Sequence, residues 1–114
     1  MWGIIATWRM AVEGISKASQ VLAEGGDAGD AIEIAVREVE DFPYYKSVGY
    51  GGLPNEEMEV ELDAAFMDSG TLALGSVAAI TGYAKSQRIA SRISTENVYN
   101  LLVGEGAEQL SYKA

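Results

Sequence analysis

Apolar residues change their spacing several times along this chain, and each change marks a predicted element. Gly3 to Trp8 form a short apolar run, which predicts a strand buried on both faces. Beyond Arg9, the residues Ala11, Val12, Ile15, Ala18 and Leu22 recur at helical spacing, and Gly25-Gly26 supplies a stop. Asp27 then reads as an N-cap, with Asp30 at the third helical position beside the positive end of the dipole. Ala28, Ala31, Ile32, Ala35, Val36 and Val39 draw an i, i+3, i+4 stripe that Phe42-Pro43 closes. Two amphipathic helices joined by so short a connection predict antiparallel neighbours on one layer.

Tyr44 to Asn55 is glycine-rich and reads as an ordered loop. Met58, Val60 and Leu62 then alternate with Glu59, Glu61 and Asp63, a period of two that predicts a half-exposed strand. From Ala64 to Met67 the polar face disappears, so the strand is expected to run under cover. Asp68-Ser69-Gly70 predicts a turn, and Thr71 to Ile80 the returning strand. A third helix is expected over Lys85 to Glu96 with Ile89 and Ile93 inward. Leu101-Leu102-Val103 follows as a short strand, and Gly104-Glu105-Gly106 leads into the start of a helix. The order β-αα-ββ-α-β, with its antiparallel hairpin, is that of an α+β protein rather than a doubly wound sheet. No internal repeat or linker divides the chain. Its last helix is only a turn or two old at Ala114, so residues 1–114 read as a single incomplete domain.

Composition narrows the chemistry. The 114 residues carry 17 acidic against 8 basic side chains, a net charge of −9 that argues against nucleic-acid binding. The chain contains no Cys and no His, which excludes disulfides, thiol nucleophiles, thiolate metal sites and imidazole bases. Chemistry must therefore run through carboxylates, hydroxyls, amides or a terminal amine. The apolar opening Met1 to Trp8 is too short for a membrane span and has no basic flank before it, so no membrane association and a cytoplasmic location are expected.

Several groups of residues invite a functional reading, and each has a plainer one. Strand alternation would put Glu59, Glu61 and Asp63 on one face, beside Glu56 and Glu57, yet a hard-cation site also wants backbone carbonyls and a tight loop. A solvated strand face is the expectation, and no metal or other cofactor is assigned. Gly49-Tyr50-Gly51-Gly52 lacks the Lys-Ser/Thr of a phosphate loop and joins no strand to a helix. Lys85, Arg88 and Arg92 form a basic stripe that reads as a solvated helix face. Trp8 ends a predicted buried strand, where core packing and ligand contact are both open to it.

The order of segments resembles a specific family. The resemblance is carried by Thr7-Trp8, by Gly25-Gly26-Asp27-Ala28-Gly29-Asp30-Ala31-Ile32-Glu33, and by Ser47-Val48-Gly49-Tyr50-Gly51-Gly52-Leu53-Pro54-Asn55-Glu56. It continues in Glu61-Leu62-Asp63-Ala64-Ala65-Phe66-Met67-Asp68 and in Leu101-Leu102-Val103-Gly104-Glu105-Gly106-Ala107. These blocks are similar to the N-terminal part of the threonine N-terminal-nucleophile amidohydrolases: the glycosylasparaginases (aspartylglucosaminidases) and the isoaspartyl peptidase/plant-type asparaginases. The Gly-Gly-x-Pro loop and Trp8 look closer to the glycosylasparaginase branch.

The resemblance implies part of a four-layer αββα sandwich and a precursor that cuts itself before a threonine. The new terminal threonine would attack the side-chain amide of an asparagine derivative of the N4-(β-N-acetylglucosaminyl)-L-asparagine class, with its own α-amine as base. Trp8 then matches the family's pocket tryptophan, and Ser47 a supporting hydroxyl that orients the nucleophile. Gly49, Gly51 and Gly52 would shape the substrate-binding wall, while Asp63 and Asp68 read as structural. The nucleophile's own segment is absent, since none of Thr7, Thr71, Thr81 or Thr95 has its context. The chain alone is therefore expected to be inactive, its partner being a C-terminal half that carries the threonine, in a dimer of two-chain units. Met58 stands where the family usually has Gly, Ser69 where Met-Asp-Gly is usual, and Tyr99 where a His is common. Two other readings remain open: isoaspartyl peptidase/L-asparaginase activity in the intact protein, and a non-catalytic binding module.

Overall fold

The structure, a computed structural model, describes residues 1–82, 85–96 and 99–112. Among the described residues four helices, α1 (Val12–Ala23), α2 (Ala28–Glu40), α3 (Ser86–Glu96) and α4 (Glu105–Tyr112), accompany strands β1 (Leu62–Asp68), β2 (Ala73–Ile80) and β3 (Leu101–Val103). Short 3-10 turns at Arg9–Ala11 and Gly49–Gly51 complete the elements, and the mixture is α+β as expected. The expectation attached to Ala114 lies outside the described residues.

The helical hairpin follows its local signals closely. Helix α1 ends where Gly25 takes φ +81°, a left-handed geometry that costs a glycine nothing. The Gly25 amide donates to the Leu22 carbonyl and the Gly26 amide to that of Val21, which satisfies two of the helix's orphan acceptors. Asp27 then caps α2, its carboxylate accepting from the amides of Gly29 at 2.8 Å and Asp30 at 3.3 Å. The two helices approach so closely that Gly14 lies against the Ala35 backbone with no room for a Cβ. Ala18 and Ala31, both buried, continue that small-residue contact.

The sheet has the order β1-β2-β3. β1 and β2 are antiparallel, pairing Met67 with Leu74 and Ala64 with Val77. β2 and β3 are parallel, pairing Val77 with Leu102, and α3 supplies the crossover that a parallel pair requires. One extra residue in β2 shifts the register between the Leu62 and Ala64 pairs, and Ala79 adopts φ +52° there. The Asp63 carboxylate accepts from the Ala79 amide at 2.8 Å. Asp68 accepts from the Gly70 amide at 2.7 Å and shapes the hairpin turn. Val77, Ile80, Ile89, Ile93 and Ala107 form the core, joined at its edge by Leu62, Ala64, Leu102 and Leu110. Among the described residues no helix is long and apolar enough to cross a membrane.

Three sequence expectations need correction. Residues 3–8 make no strand, and Ile5 and Trp8 are exposed at 93% and 71%. Apolar composition expresses a demand for burial, but a buried strand needs a neighbour to pair its backbone groups as well as cover over its faces, and among the described residues the sheet β1-β2-β3 does not include this segment. The second correction concerns Met58 to Glu61, which precede β1 instead of opening it. The Asn55 side chain accepts from the amides of Glu57 and Glu59, the Asn55 amide donates to the Glu59 carbonyl, and Met58 takes φ +65°. An Asn-centred turn thus consumes the period-two pattern, and Glu59, Glu61 and Asp63 do not share a strand face. The third correction concerns Ala64 to Met67, which do not run under cover: Ala65 and Met67 are exposed, because they lie on the sheet face that α3 does not cover. The β-hairpin itself forms as expected, although the turn extends through Leu72, which has φ +58°.

Candidate active site

A cavity of about 530 Å³ opens between the helical hairpin, the N-terminal segment and the start of β1. Its floor is apolar, built from Ile15, Ile32, Val36 and Val39. Thr7 and Trp8 form one wall, Ser47, Val48 and Gly49 another, and Leu62 to Ala64 a third. Glu40, Ser86 and Gln87 supply a polar end. An apolar chamber with a few convergent polar groups is the usual form of a small-molecule site.

Local chemistry explains how the Ser47 wall is held. Gly49 has φ +61° and lies against the Glu40 main chain, where a Cβ would overlap the Glu40 carbonyl. The Gly52 amide donates to the Gly49 carbonyl at 3.0 Å, and the Leu53 amide to that of Lys46 at 3.0 Å. Behind the turn, Gly51 lies against the carbonyls of Pro43 and Tyr45. The Phe42 ring packs on Tyr45 with centroids 4.5 Å apart, and edge-on to Tyr44 at 5.7 Å.

Of the residues singled out from sequence, Trp8, Ser47 and Gly49 meet at the cavity, although they lie as much as 41 positions apart. Trp8 stands at its rim and Gly49 is buried. Gly51 and Gly52 are not in its lining; they support the turn from behind, and Gly52 also approaches Val60. Arg88 and Arg92 border a separate shallow groove, where the Arg92 guanidinium donates to Glu96. Among the described residues no group of three or more carboxylates converges as a metal site would require.

Sequence reasoning missed Glu40. Its Oε1 accepts from the Ser86 hydroxyl at 2.7 Å and from the Gln87 amide at 3.1 Å, so it caps the start of α3 from the end of α2. Burial pushes its carboxyl above the ordinary range and the neighbouring Asp41 adds to this, against the opposing hydrogen bonds from Ser86 and Gln87 and the charge of Arg37. A signal was present: an acid at the C-terminal end of a helix opposes the dipole, which makes sense when its side chain serves another element.

The family model described as asparaginase matches residues 6–114. The chain is 38% identical over 104 residues to an N(4)-(β-N-acetylglucosaminyl)-L-asparaginase of Elizabethkingia miricola, which covers 91% of this chain and 30% of that protein. It is 35% identical over 103 residues to the isoaspartyl peptidase/L-asparaginase of Rattus norvegicus, covering 87% of this chain and 31% of the relative. A plant-type L-asparaginase of Thermococcus kodakarensis is 38% identical over 101 residues, covering 84% and 32% respectively. The chain thus spans about a third of the length of the curated relatives it matches. Since the family model covers nearly every residue, cavity walls included, the chain belongs to the asparaginase family.

Proposed function

We propose that these residues are the N-terminal portion of a glycosylasparaginase-like amidohydrolase. The observation that carries the reading is the convergence of Trp8, Ser47 and Gly49 on one cavity. In this reading the nucleophile is a terminal threonine, freed by self-cleavage, on polypeptide beyond these residues. Its hydroxyl attacks the side-chain amide carbon of N4-(β-N-acetylglucosaminyl)-L-asparagine while its α-amine takes the proton. The tetrahedral oxyanion is held by hydrogen-bond donors, the glycosylamine leaves with a proton, and water hydrolyses the acyl-enzyme. Ser47 orients the threonine through a hydrogen bond, and the Trp8 indole stacks against the substrate. Gly49 shapes the wall directly, with Gly51 and Gly52 fixing the turn behind it.

The same reading makes residues 1–114 one part of a four-layer αββα sandwich. Its support is the sheet face away from α3, where Met67, Leu74, Leu101 and Val103 share one side by register and stay exposed. A second sheet carrying the threonine would cover that face, in a dimer of two-chain units. The 35% identity to an isoaspartyl peptidase/L-asparaginase favours a second substrate class, β-aspartyl peptides and asparagine, on the same machinery.

The test is steady-state hydrolysis by the full-length protein of the glycosylated asparagine, a β-aspartyl dipeptide and free asparagine. The glycosylated substrate is expected to give the highest kcat/KM, and preference for either of the others would select the second reading. Trp8→Ala should lower kcat/KM by about 10–100-fold through lost placement, and Ser47→Ala should slow maturation or turnover. No hydrolysis of any of the three, or wild-type rates in both variants, would remove the proposal.

A further inference from the structure

Glu40 is the last residue of α2, only 4% exposed, in a position where its charge works against its own helix dipole. Its Oε1 accepts from Ser86 and Gln87, the first two residues of α3. Its main chain is equally committed, because Gly49 closes on the Glu40 carbonyl and Cα with no space for a side chain. From the end of α2, one residue therefore touches two further segments that wall the cavity, α3 and the 47–49 turn. Its Oε2 is buried without a hydrogen-bond partner among the described residues, as is the Arg37 Nε one turn earlier.

Stability alone is a poor account of such a group. A buried, incompletely satisfied carboxylate contributes less than an apolar side chain of similar volume. What it offers instead is direction, since two hydrogen bonds to one oxygen fix how α3 starts relative to where α2 ends. We propose that Glu40 is the positioning residue of this cavity: its carboxylate fastens the end of α2 to the start of α3, and so fixes the Glu40 main chain on which Gly49 is seated and, with it, the Ser47 wall that meets the attacking threonine. The inference rests on the amidohydrolase reading for its catalytic consequence, but not for its structural one.

The experiment uses the full-length protein as wild type, Glu40→Ala and Glu40→Gln. Amide hydrogen exchange is followed over residues 44–53, and kinetics are measured on N4-(β-N-acetylglucosaminyl)-L-asparagine. Glu40→Ala should speed exchange in that segment by about tenfold or more. It should lower kcat by about 10–100-fold while KM stays within about threefold. Glu40→Gln, whose amide oxygen can accept the same two hydrogen bonds, should recover most of both losses. Unchanged exchange over 44–53, or a kcat loss that glutamine does not recover, overturns the proposal. Should Glu40→Ala fail to fold, Ser86→Ala takes its place, and exchange at the wild-type rate in that variant is equally fatal. A wild type inert toward every asparagine derivative would sink the amidohydrolase reading, leaving the exchange comparison to decide on Glu40.

Discussion

The two faces of the sheet are alike in sequence and unlike in environment. Toward α3, Gly75, Val77 and Ile80 are buried, and Gly75 lets the helix approach until the Ala90 carbonyl lies against the strand. On the opposite face Met67, Leu74, Leu101 and Val103 are 43–57% exposed. Hydrophobicity therefore does not tell the faces apart; what sits over them does. The covered side also holds the capped helical hairpin, the cavity and Glu40, so changes there should be felt far more than changes on the open side.

The largest contrast expected is between Ile89 and Met67. Ile89→Ala leaves a void among Val77, Ile80 and Ile93 and should cost about 2–5 kcal/mol in urea unfolding of the protein. A loss no greater than that of an exposed residue would mean that α3 does not close this face. Asp27→Ala, at the capped start of α2, should cost about 1 kcal/mol by the same measurement. Met58→Gly should act in the opposite sense and stabilise by about 0.5–1 kcal/mol, since it relieves a left-handed backbone in the turn before β1. A destabilising glycine there would contradict the Asn55-centred turn.

Glu40 sharpens the comparison through pH. Its folded pKa lies above the ordinary 4.5, so the folded state holds the proton more tightly than the unfolded chain. That contribution is complete below 4.5 and is lost as pH rises through the raised value. The melting temperature of Glu40→Gln should accordingly gain on that of the wild type as pH rises across this window. A difference that does not vary with pH would remove the raised pKa. The smallest effect is reserved for the open face: in a form of the chain that leaves it exposed, Met67→Ser should change stability by less than about 0.5 kcal/mol. A larger loss would show that something already covers that face.

Legibility varied with the range of the forces involved. Helices α1 and α2, with the Asp27 cap and the Gly25-Gly26 stop, could be read because each signal acts within a turn of the chain. The β1–β2 hairpin was legible for the same reason, but its start was not, because one Asn55 side chain outcompeted the period-two pattern from Met58 to Glu61. At the candidate site, Trp8, Ser47 and Gly49 were found by resemblance, and Glu40 was not. Its partners Ser86 and Gln87 lie 46 and 47 positions away.

The sequence by itself determined where the chain turns, which helix faces are apolar, and which chemistries a chain without Cys or His must do without. Only the tertiary structure decided that residues 4–8 border a cavity instead of entering the sheet, that a helix-terminal carboxylate serves a second helix, and that one of two similar sheet faces is covered. The division has a physical cause. Capping, glycine geometry and periodicity are energies of neighbouring residues, whereas cover, cavity and buried charge are energies of segments that meet only when the whole chain is folded.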